Sequence, residues 1–488
     1  MAGGGWDSGR LNGGETQATP ERTAAGAVAD AVAASRAAQG VWASLTVWER
    51  RDGLRALQRA LVAQASRLVE TIAAETGKLP VDALEAEVLP AAIHTRYLAR
   101  TAHLHLAPRR VAPQPILHKR AWVEYRPRGV AGVISPWNFP FFLSFQPTVT
   151  ALAAGCGVVL KPSSAAPRSG ALVGELAAAA GLPDGLVQVL HGGADTGRAL
   201  VAGGVDVVSF TGSSAVGREV AALAARHLVP TVLELGGKHP MVVLGDADPV
   251  RAARGAVWGG CLNAGQACVG VERVFVVAEA YEAFLAALSE AIAQVEASDH
   301  PARGIGPVFG PGQIEVVEAQ VAAAIAAGAT LLAGGHRVGE KYFAPTVLLD
   351  VTPSMEIMRE ETFGPILPVM RVADEEEAIA RANDSAYGLH ASVWTASTAA
   401  GRRVASRLRA GTVAINDALV NYGVPALPFG GVGASGWGRT AGAEGVRAFC
   451  YPVAVTESRW RRHREPYWFP RKGGMRLRLR LLRLLAGR

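Results

Sequence analysis

The chain has 488 residues, of which 50% are apolar and 19% are charged, a composition typical of a globular protein with two to four structural units. This composition excludes a disordered or fibrous chain. The net charge of +7 is unevenly distributed, because residues 458–488 carry eleven Lys or Arg against one acid, Glu465, whereas the first 457 residues carry 38 against 41. The near-neutral body has no basic stripe, so we expect no nucleic-acid partner.

The four cysteines, Cys156, Cys261, Cys268 and Cys450, form no CxxC pair and no close cluster with histidine. This spacing disfavours a disulfide framework and a metal site, and it indicates a reducing, cytoplasmic environment. The first 20 residues lack the basic start and apolar core of a secretory signal. No apolar run reaches the roughly 18 residues that span a bilayer, so we expect any membrane contact to be peripheral.

Helical periodicity comes first along the chain, in residues 24–77, where Val, Leu and Ile recur at intervals of three and four. From residue 125 onward, short Val/Ile/Leu runs alternate with helical stretches. Continuous apolar runs bounded by Gly and Pro are typical of strands covered by helices on both faces. We therefore predict a doubly wound, mostly parallel sheet, the usual frame of a nucleotide-binding crevice, with strands in residues 129–135, 157–160, 186–190, 205–210 and 231–235.

A second α/β set follows the first. Gly236 and Gly237 lie between the two sets, and glycine allows the unusual backbone angles that a crossing between lobes often needs. Alternating apolar residues at Ala121, Val123 and Tyr125 predict a half-exposed strand that pairs outside its own domain. The predicted strands of the second set are 240–244, 272–278, 330–332, 344–348 and 366–372, and its predicted helices are 281–297 and 315–327.

Four features carry candidate chemistry, and each also has a plain structural interpretation. Gly212 and Gly217 lie in a strand–turn–helix segment that either binds a pyrophosphate or is simply a tight turn. Cys268, flanked by small residues, is either an inert apolar residue or a nucleophile. Glu234 is either a solvated strand end or a general base with a raised pKa. Asn138 either donates to an oxyanion or closes an Asx turn.

These features belong to a longer series of motifs. In sequence order they are Pro136-Trp-Asn-Phe-Pro140, Lys161-Pro162, Phe210-Thr-Gly-Ser213, Glu234-Leu-Gly-Gly-Lys238, Gly265-Gln-Ala-Cys268, Glu361-Thr-Phe-Gly-Pro365, and Pro428-Phe-Gly-Gly431 with Ser435-Gly-Trp-Gly-Arg439. In their order and spacing, from about residue 24 to 457, they resemble those of the NAD(P)-dependent aldehyde dehydrogenase superfamily. The motifs specify the family strongly and the substrate weakly.

The resemblance implies an α/β fold with a Rossmann-type cofactor domain, an α/β catalytic domain and a small β arm for oligomerisation, in a homodimer or homotetramer. The family's opening strand has no good counterpart in residues 7–20, which we expect to be loosely ordered. The implied ranges are 20–112 and 127–236 for the cofactor domain, 237–427 for the catalytic domain, 113–126 and 428–457 for the arm and bridging segments, and 458–488 for a basic amphipathic tail.

The resemblance also implies catalytic roles. Cys268 matches the nucleophile that attacks the aldehyde carbon as a thiolate. The Asn138 amide and the Cys268 backbone N–H would then stabilise the oxyanion. Glu234 matches the base that activates water against the thioester. Because members that pass the acyl group to coenzyme A often lack this carboxylate, a free carboxylic acid is the expected product.

For the cofactor, the resemblance implies a binding groove with several named positions. Lys161 matches the contact to the adenosine ribose, Glu361 the contact to the nicotinamide ribose, and Phe363 the contact to the nicotinamide ring. One departure concerns Ser164, where members that prefer NAD usually have a glutamate. A glutamate would bind the ribose 2′-hydroxyl and repel a 2′-phosphate, so its absence predicts that NADP is accepted beside NAD. Further positions implied in the groove are Trp137, Gly212, Ser213, Gly217 and Leu235.

The predicted substrate tunnel is mostly apolar and has no obvious arginine pair for a substrate carboxylate. We therefore predict an apolar aliphatic or aromatic aldehyde, although some of these positions are equally consistent with plain core. A succinate-semialdehyde-like substrate and a catalytically silent binding protein are the alternatives. The positions are Phe142, Leu143, Gln146, Ala267, Val269 and residues 418–422.

The C-terminal tail predicts a short basic amphipathic helix over residues 475–485. Wound at about 100° per residue, Arg476, Arg480 and Arg483 fall on one arc and most leucines on the remainder. Aromatic residues among arginines precede it, a mixture that suits an anionic lipid interface. Alternatively, these aromatic residues pack on a neighbouring subunit and the arginines are merely solvated. The aromatic residues are Trp460, Tyr467, Trp468 and Phe469.

Overall fold

The computed structural model describes residues 20–114, 116–460, 463–465, 467–469 and 474–486. The chain divides into two compact units, of which the first comprises the residues up to Leu106 with Arg126–Tyr451, and the second Ala107–Tyr125 with the residues from Pro452 onward. The expectation for residues 7–19 falls outside the described residues, and Pro20 already begins a helix.

Helices dominate the first hundred residues and then alternate with strands. A π-helical turn, Leu84–Val88, separates α4 from α5. The helices in the described residues are α1 (Pro20–Ser44), α2 (Val47–Ala63), α3 (Ala65–Thr76), α4 (Pro80–Ala83), α5 (Leu89–His105), α6 (Phe142–Ala154), α7 (Pro167–Ala179), α8 (Ala194–Ala202), α9 (Ser214–Arg226), α10 (Pro249–Cys261), α11 (Ala278–Ile292), α12 (Gln313–Ala326), α13 (Glu375–Asn383), α14 (Thr398–Ala405), α15 (Gly442–Ala448) and α16 (Met475–Leu485).

The described strands form two large sheets and two small ones. They are β1 (Arg109–Val111), β2 (Lys119–Pro127), β3 (Val130–Ile134), β4 (Gly157–Lys161), β5 (Val187–Val189), β6 (Val207–Thr211), β7 (Thr231–Glu234), β8 (Pro240–Val243), β9 (Arg273–Val277), β10 (Thr330–Ala333), β11 (Arg337–Val338), β12 (Tyr342–Phe343), β13 (Thr346–Leu349), β14 (Ile366–Val372), β15 (His390–Trp394), β16 (Thr412–Ile415), β17 (Gly436–Trp437) and β18 (Cys450–Ser458).

The first large sheet has the strand order β17-β7-β6-β3-β4-β5 and is parallel except at β17. All five predicted strands are confirmed within a few residues. Strands β3 and β4 are buried along their whole length, which explains why their sequences are continuous apolar runs rather than alternating ones. The carboxyl ends of β3, β6 and β7 carry the loops and side chains of the candidate site.

The second large sheet has the order β10-β13-β14-β9-β8-β15-β16 and is parallel except at β10. The chain passes from β7 of the first sheet to β8 of this sheet between Glu234 and Pro240, and Gly236 and Gly237 lie in this segment. Neither glycine has a positive φ. A Cβ on Gly236 would instead collide with the Glu361 carboxylate, and one on Gly237 with the His239 ring.

The second unit contains a three-stranded sheet of order β1-β2-β18 and the terminal helix α16. The predicted strand around Val123 is β2, which is partly buried along most of its length. Residues 428–451, which the sequence grouped with the arm, cluster with the first unit instead, because β17 pairs with β7 at Glu234. The predicted helix over residues 475–485 is confirmed as α16. In the described part of the chain no helix is long and apolar enough to cross a membrane.

Candidate active site

One cavity of about 240 Å³ in the first unit brings most of the predicted site residues together. It lies where loops from the two large sheets meet. Its predicted members are Asn138, Glu234 and Cys268 together with Trp137, Gly212, Ser213, Leu235, Glu361 and Phe363. Its lining also includes residues that were not among the predicted site residues, namely Pro136, Thr211, Gly236, Gln313 and Val316.

Cys268 follows a tight turn in which Asn263 and Ala264 have left-handed backbone angles. Next to them Gly265 also has a positive φ, and a Cβ there would collide with the carbonyl of Gly364, so only glycine fits. Cys268 is partly exposed, whereas Cys156, Cys261 and Cys450 are buried. This exposure favours the nucleophile over the inert apolar residue.

The protonation of Cys268 depends on its surroundings. Burial, followed by the negative charges of Glu234 and Glu361, raises the pKa of the Cys268 thiol to about 12. The thiol is therefore protonated at neutral pH in the absence of a positive charge nearby. A cationic group bound in this cavity would shift the balance toward the thiolate.

Asn138 lies in the loop between β3 and α6, and it is buried. Its Nδ2 donates to the carbonyl oxygen of Gln266 at 3.0 Å. This bond links two loops that are distant in sequence, and among the described residues no backbone N–H donates to Asn138 Oδ1, so the side chain closes no Asx turn. Because an amide nitrogen carries two hydrogens, the second N–H of Asn138 remains available to a group bound at Cys268.

Glu234 ends β7 with only 6% of its surface exposed, so it is not a solvated strand end. Neither carboxylate oxygen has a hydrogen-bond partner among the described residues. Burial raises the pKa of Glu234 well above its usual range, and the nearby Arg439 opposes this only in part. A buried carboxylate without partners is poised to accept a proton, as a general base must.

The turn between β6 and α9 forms one wall of the cavity. Ser213 caps α9, and its Oγ accepts from the Val216 N–H at 3.3 Å. The positive end of the helix dipole therefore lies beside Gly212 and Ser213, an arrangement that fits an anionic pyrophosphate. Gly217 is not in the lining, because it packs against Leu235, whose side chain a Cβ on Gly217 would hit.

A second wall is formed by Glu361 and Phe363, after β13. Glu361 Oε1 accepts from the Gly237 N–H at 3.0 Å. Burial and the negative charge of Glu272 raise the pKa of Glu361 to about 8. Phe363 has a φ of +53°, and its ring lies edge-on to Trp137 with centroids 5.5 Å apart. The Glu361 carboxylate fits a ribose, and the Phe363 and Trp137 rings fit a planar ring beside it.

A buried ion pair holds this wall in place. Lys238 Nζ donates to Glu272 Oε2 at 2.7 Å. The two oxygens of Glu272 also accept from the backbone N–H groups of Thr362 and Phe363, at 3.0 and 3.1 Å. Glu272 was not among the predicted site residues. Its position at the start of an apolar strand, only four residues beyond Cys268, is the sequence signal that could have identified it.

Besides Gly217, two further predicted cofactor residues lie outside the cavity lining. Lys161 is buried at the end of β4, its Nζ donates to the Pro162 carbonyl at 3.1 Å, and burial lowers its pKa. Ser164 is exposed in the turn before α7. Both lie at the carboxyl end of β4, the strand that pairs with β3. Ligands bind outside the carboxyl ends of the strands in open parallel sheets.

The side of Cys268 predicted for the substrate is aromatic. Tyr422 makes edge-to-face contacts with Phe142 and Phe429, with centroids 5.2 and 5.3 Å apart. The Tyr422 hydroxyl is buried and has no hydrogen-bond partner among the described residues. Burial and then the charges of Cys268, Glu87 and Glu234 raise the pKa of Tyr422 well above its usual range. This region is therefore apolar.

Comparison with known proteins gives consistent matches. A sequence model described as the aldehyde dehydrogenase family matches residues 12–455. A 4,4'-diapolycopene aldehyde oxidase from Methylomonas sp is 44% identical over 442 residues, covering 89% of this chain and 82% of that protein. The crystal structure of an NAD-dependent aldehyde dehydrogenase from Sinorhizobium meliloti superposes with a TM-score of 0.87 at 36% identity, covering 91% and 89% of the two chains. A succinate-semialdehyde dehydrogenase from Burkholderia pseudomallei has a TM-score of 0.85 at 35% identity, covering 89% and 90%.

Proposed function

The chain belongs to the aldehyde dehydrogenase family, whose members use NAD or NADP, and we propose that it oxidises an apolar aldehyde to the carboxylic acid through a thioester on Cys268. The observation that carries this proposal is the meeting of Cys268, Asn138 and Glu234 in one cavity. A thiol, an amide N–H and an unpartnered carboxylate are the three groups that covalent aldehyde oxidation needs.

The protein groups act in order. Cys268 attacks the aldehyde carbon, forming a C–S bond and an oxyanion that accepts hydrogen bonds from the Asn138 amide and the Cys268 N–H. When bound, oxidised nicotinamide dinucleotide supplies a positive charge that favours the thiolate and accepts the hydride whose loss leaves a thioester. Glu234 then takes a proton from water as the water oxygen attacks the thioester carbonyl, and the C–S bond breaks to release the carboxylic acid and the Cys268 thiolate.

The residues that would hold the dinucleotide lie around the same cavity. Gly212 and Ser213 at the N-terminus of α9 suit its pyrophosphate, and Glu361 with Phe363 suits the nicotinamide end. Lys161, buried at the end of β4, would contact the adenosine ribose.

The cofactor preference follows from the residue near that ribose. Ser164 carries no charge that would repel a 2′-phosphate, so NADP is accepted at least as readily as NAD. Measuring kcat/KM with each cofactor tests this, and Ser164→Glu should shift the ratio toward NAD. A wild-type preference for NAD of about 100-fold, or about 2.7 kcal/mol, would contradict it.

The substrate is an apolar aldehyde because of the aromatic cluster beside Cys268. Phe142, Tyr422 and Phe429 offer ring edges and faces to an apolar chain. The diapolycopene aldehyde named for the Methylomonas relative also supports an apolar substrate.

Comparing kcat/KM for straight-chain aldehydes of increasing length with that for succinic semialdehyde tests this choice. We expect kcat/KM to rise with each added methylene, by up to about fourfold per buried group. Tyr422→Arg should selectively improve succinic semialdehyde. A wild-type enzyme that prefers succinic semialdehyde over the longer apolar aldehydes would reject the apolar assignment.

The second unit supports assembly and a peripheral membrane contact. Strands β2 and β18 form the arm proposed to pair subunits in a dimer or tetramer. In the tail, Glu465 is buried and bonds Lys119 Nζ at 2.6 Å and His118 Nε2 at 2.7 Å. The only acid of residues 458–488 is thus neutralised by its partners, which leaves the tail strongly basic.

The helix α16 in that tail suits an anionic lipid surface. Leu479, Leu482 and Leu484 are exposed, and Arg476, Arg480 and Arg483 are on the same helix. Basic residues beside exposed leucines bind headgroups and acyl chains together. Binding therefore requires residues 472–488 and anionic lipid.

Sedimentation with vesicles of phosphatidylserine and phosphatidylcholine tests this contact. The full chain should sediment, the chain lacking residues 472–488 should not, and salt should weaken the binding. Pure phosphatidylcholine vesicles are the control. Equal sedimentation of both chains, or no sedimentation of the full chain, would contradict lipid binding through the tail.

A further inference from the structure

A buried ion pair lies directly behind the loop that carries Asn138. Lys78 follows α3, and Glu87 lies in the π-helical turn Leu84–Val88. The Lys78 and Glu87 side chains are 4% and 0% exposed, and Lys78 Nζ is 2.5 Å from Glu87 Oε1. Burying either charge alone would cost several kcal/mol, so each needs the other. Single π-helical turns frequently occur at functional sites.

Both charged groups also bind the backbone of the Asn138 loop. Lys78 Nζ donates to the Asn138 carbonyl oxygen at 2.9 Å. Glu87 Oε2 accepts from the N–H groups of Phe141 and Phe142 at 2.8 and 3.1 Å. The ion pair therefore holds this loop at Asn138, near its middle, and at its junction with α6.

The loop that carries Cys268 holds Asn138 from the other side. Asn138 Nδ2 donates to the Gln266 carbonyl oxygen, and Asn263 Nδ2 donates to the Asn138 carbonyl oxygen at 3.1 Å. The Asn138 amide thus lies between the cysteine loop and the ion pair. A shift of its backbone would move the remaining N–H away from an oxyanion at Cys268.

We propose that Lys78 and Glu87 are positioning residues for the oxyanion donor, and that they hold the Asn138 amide where the oxyanion forms. This inference rests on the proposed function, because it takes Asn138 as the donor. Neither Lys78 nor Glu87 lines the cavity, so both act through the Asn138 loop. A misplacement of about 1 Å in a reacting group can cost about 100-fold in rate.

A double-mutant cycle with Asn138→Ala tests the inference. The rate of the first NAD(P)H burst, which reports thioester formation, is measured for Lys78→Met and Glu87→Asp, each alone and combined with Asn138→Ala. Glu87→Asp keeps the charge but withdraws the carboxylate from the loop N–H groups, so this variant tests position with the ion pair retained. Leu54→Ala, in the core of α2, is the control for lost stability.

The expected result is a fall of about 10- to 100-fold in the burst rate for each single variant, with KM for the cofactor nearly unchanged. In the Asn138→Ala background the same substitutions should change the rate by less than about threefold, because the group they position is gone. Leu54→Ala should lower Tm without changing the burst rate per folded enzyme.

These variants distinguish a failure of the proposed role of Asn138 from a failure of the inference about Lys78 and Glu87. If Asn138→Ala alone keeps the full burst rate, the proposed role of Asn138 is wrong. If Asn138→Ala loses activity but Glu87→Asp does not, the ion pair is not a positioning device. Equal losses in both backgrounds would also overturn the inference, since the pair would then act independently of Asn138. If Lys78→Met does not fold, Glu87→Asp decides alone.

Discussion

At the scale of single residues, burial decides what Glu234 can do. A solvated carboxylate would be ionised at any neutral pH but too weakly basic to activate water well. Its burial raises the pKa of Glu234, so the ionised form is a stronger base that is populated only as the pH rises through that raised pKa. We therefore expect the rate of the hydrolytic step to rise with pH.

Replacement of Glu234 should separate the two halves of the reaction. Glu234→Gln keeps the shape and removes the base, so we expect the NAD(P)H burst to persist while steady-state turnover falls by about 10²- to 10⁴-fold. In the wild type, turnover should rise with pH, whereas in Glu234→Gln this rise should be lost. Stopped-flow and steady-state NAD(P)H measurements over a pH series check both.

The exposed Glu290, on α11, provides a matched control as Glu290→Gln. This variant should keep the wild-type burst, turnover and pH profile. Steady-state turnover by Glu234→Gln within about threefold of wild type would assign the base to another group.

At the scale of structural elements, two buried Lys–Glu pairs hold the two loops that meet at Cys268. Lys78 and Glu87 bind the Asn138 loop, and Lys238 with Glu272 binds the backbone around Phe363. In both, the carboxylate accepts backbone N–H groups that no helix or strand uses. The loops are thereby fixed before a ligand arrives, which reduces the ordering cost of binding.

The second pair should affect the cofactor rather than the aldehyde. Glu272→Gln replaces one accepting oxygen with an amide that cannot accept from the Thr362 or Phe363 N–H. Losing a charged hydrogen bond costs about 1.5–3 kcal/mol, so we expect KM for NAD(P) to rise by about 10- to 100-fold and KM for the aldehyde to change little. Steady-state kinetics with each substrate varied in turn measures this.

Glu315→Gln, on the exposed face of α12, is the control and should leave both KM values unchanged. An equal rise in both KM values for Glu272→Gln would mean that the pair stabilises the whole site rather than the Phe363 loop.

The sequence predicted the strands well because buried parallel strands leave continuous apolar runs, as in β3 and β4. It also singled out Cys268, Glu234 and Asn138, since their motifs are local, and the structure brings these three residues into one cavity. It did not identify Lys78, Glu87 or Glu272, because the backbone groups that they bind lie 54–91 residues away along the chain. The acid before β9 is a local signal for Glu272, whereas the binding of the Asn138 loop by Lys78 and Glu87 has none, and neither does the clustering of residues 428–451 with the first unit.

At the scale of the whole molecule, protonation also affects stability. His94 is buried against Thr150, and burial lowers the pKa of His94 to about 4. The unfolded chain, with an ordinary pKa near 6.5, binds the proton more readily in this range. The stability contributed by neutral His94 is therefore complete above pH 6.5 and is lost as the pH falls toward 4.

Comparison with His94→Gln isolates this term from the other titrating groups. Between pH 7.5 and pH 5 the wild type should lose about 2 kcal/mol of unfolding free energy relative to the variant. Calorimetric Tm values at both pH values check it. His300→Gln, at an exposed histidine, should keep the wild-type pH dependence. A Tm difference between wild type and His94→Gln that does not change with pH would exclude His94 as a proton-linked site.

The proposed aldehyde oxidation depends most on covalent catalysis by Cys268. The direct measurement is NAD(P)H formation by Cys268→Ala with an apolar aldehyde, beside Cys156→Ala, which removes a buried thiol outside the cavity lining. We predict a loss of at least about 10³-fold for Cys268→Ala and turnover per folded enzyme close to wild type for Cys156→Ala. NAD(P)H formation by Cys268→Ala within about tenfold of the wild-type rate would contradict the account.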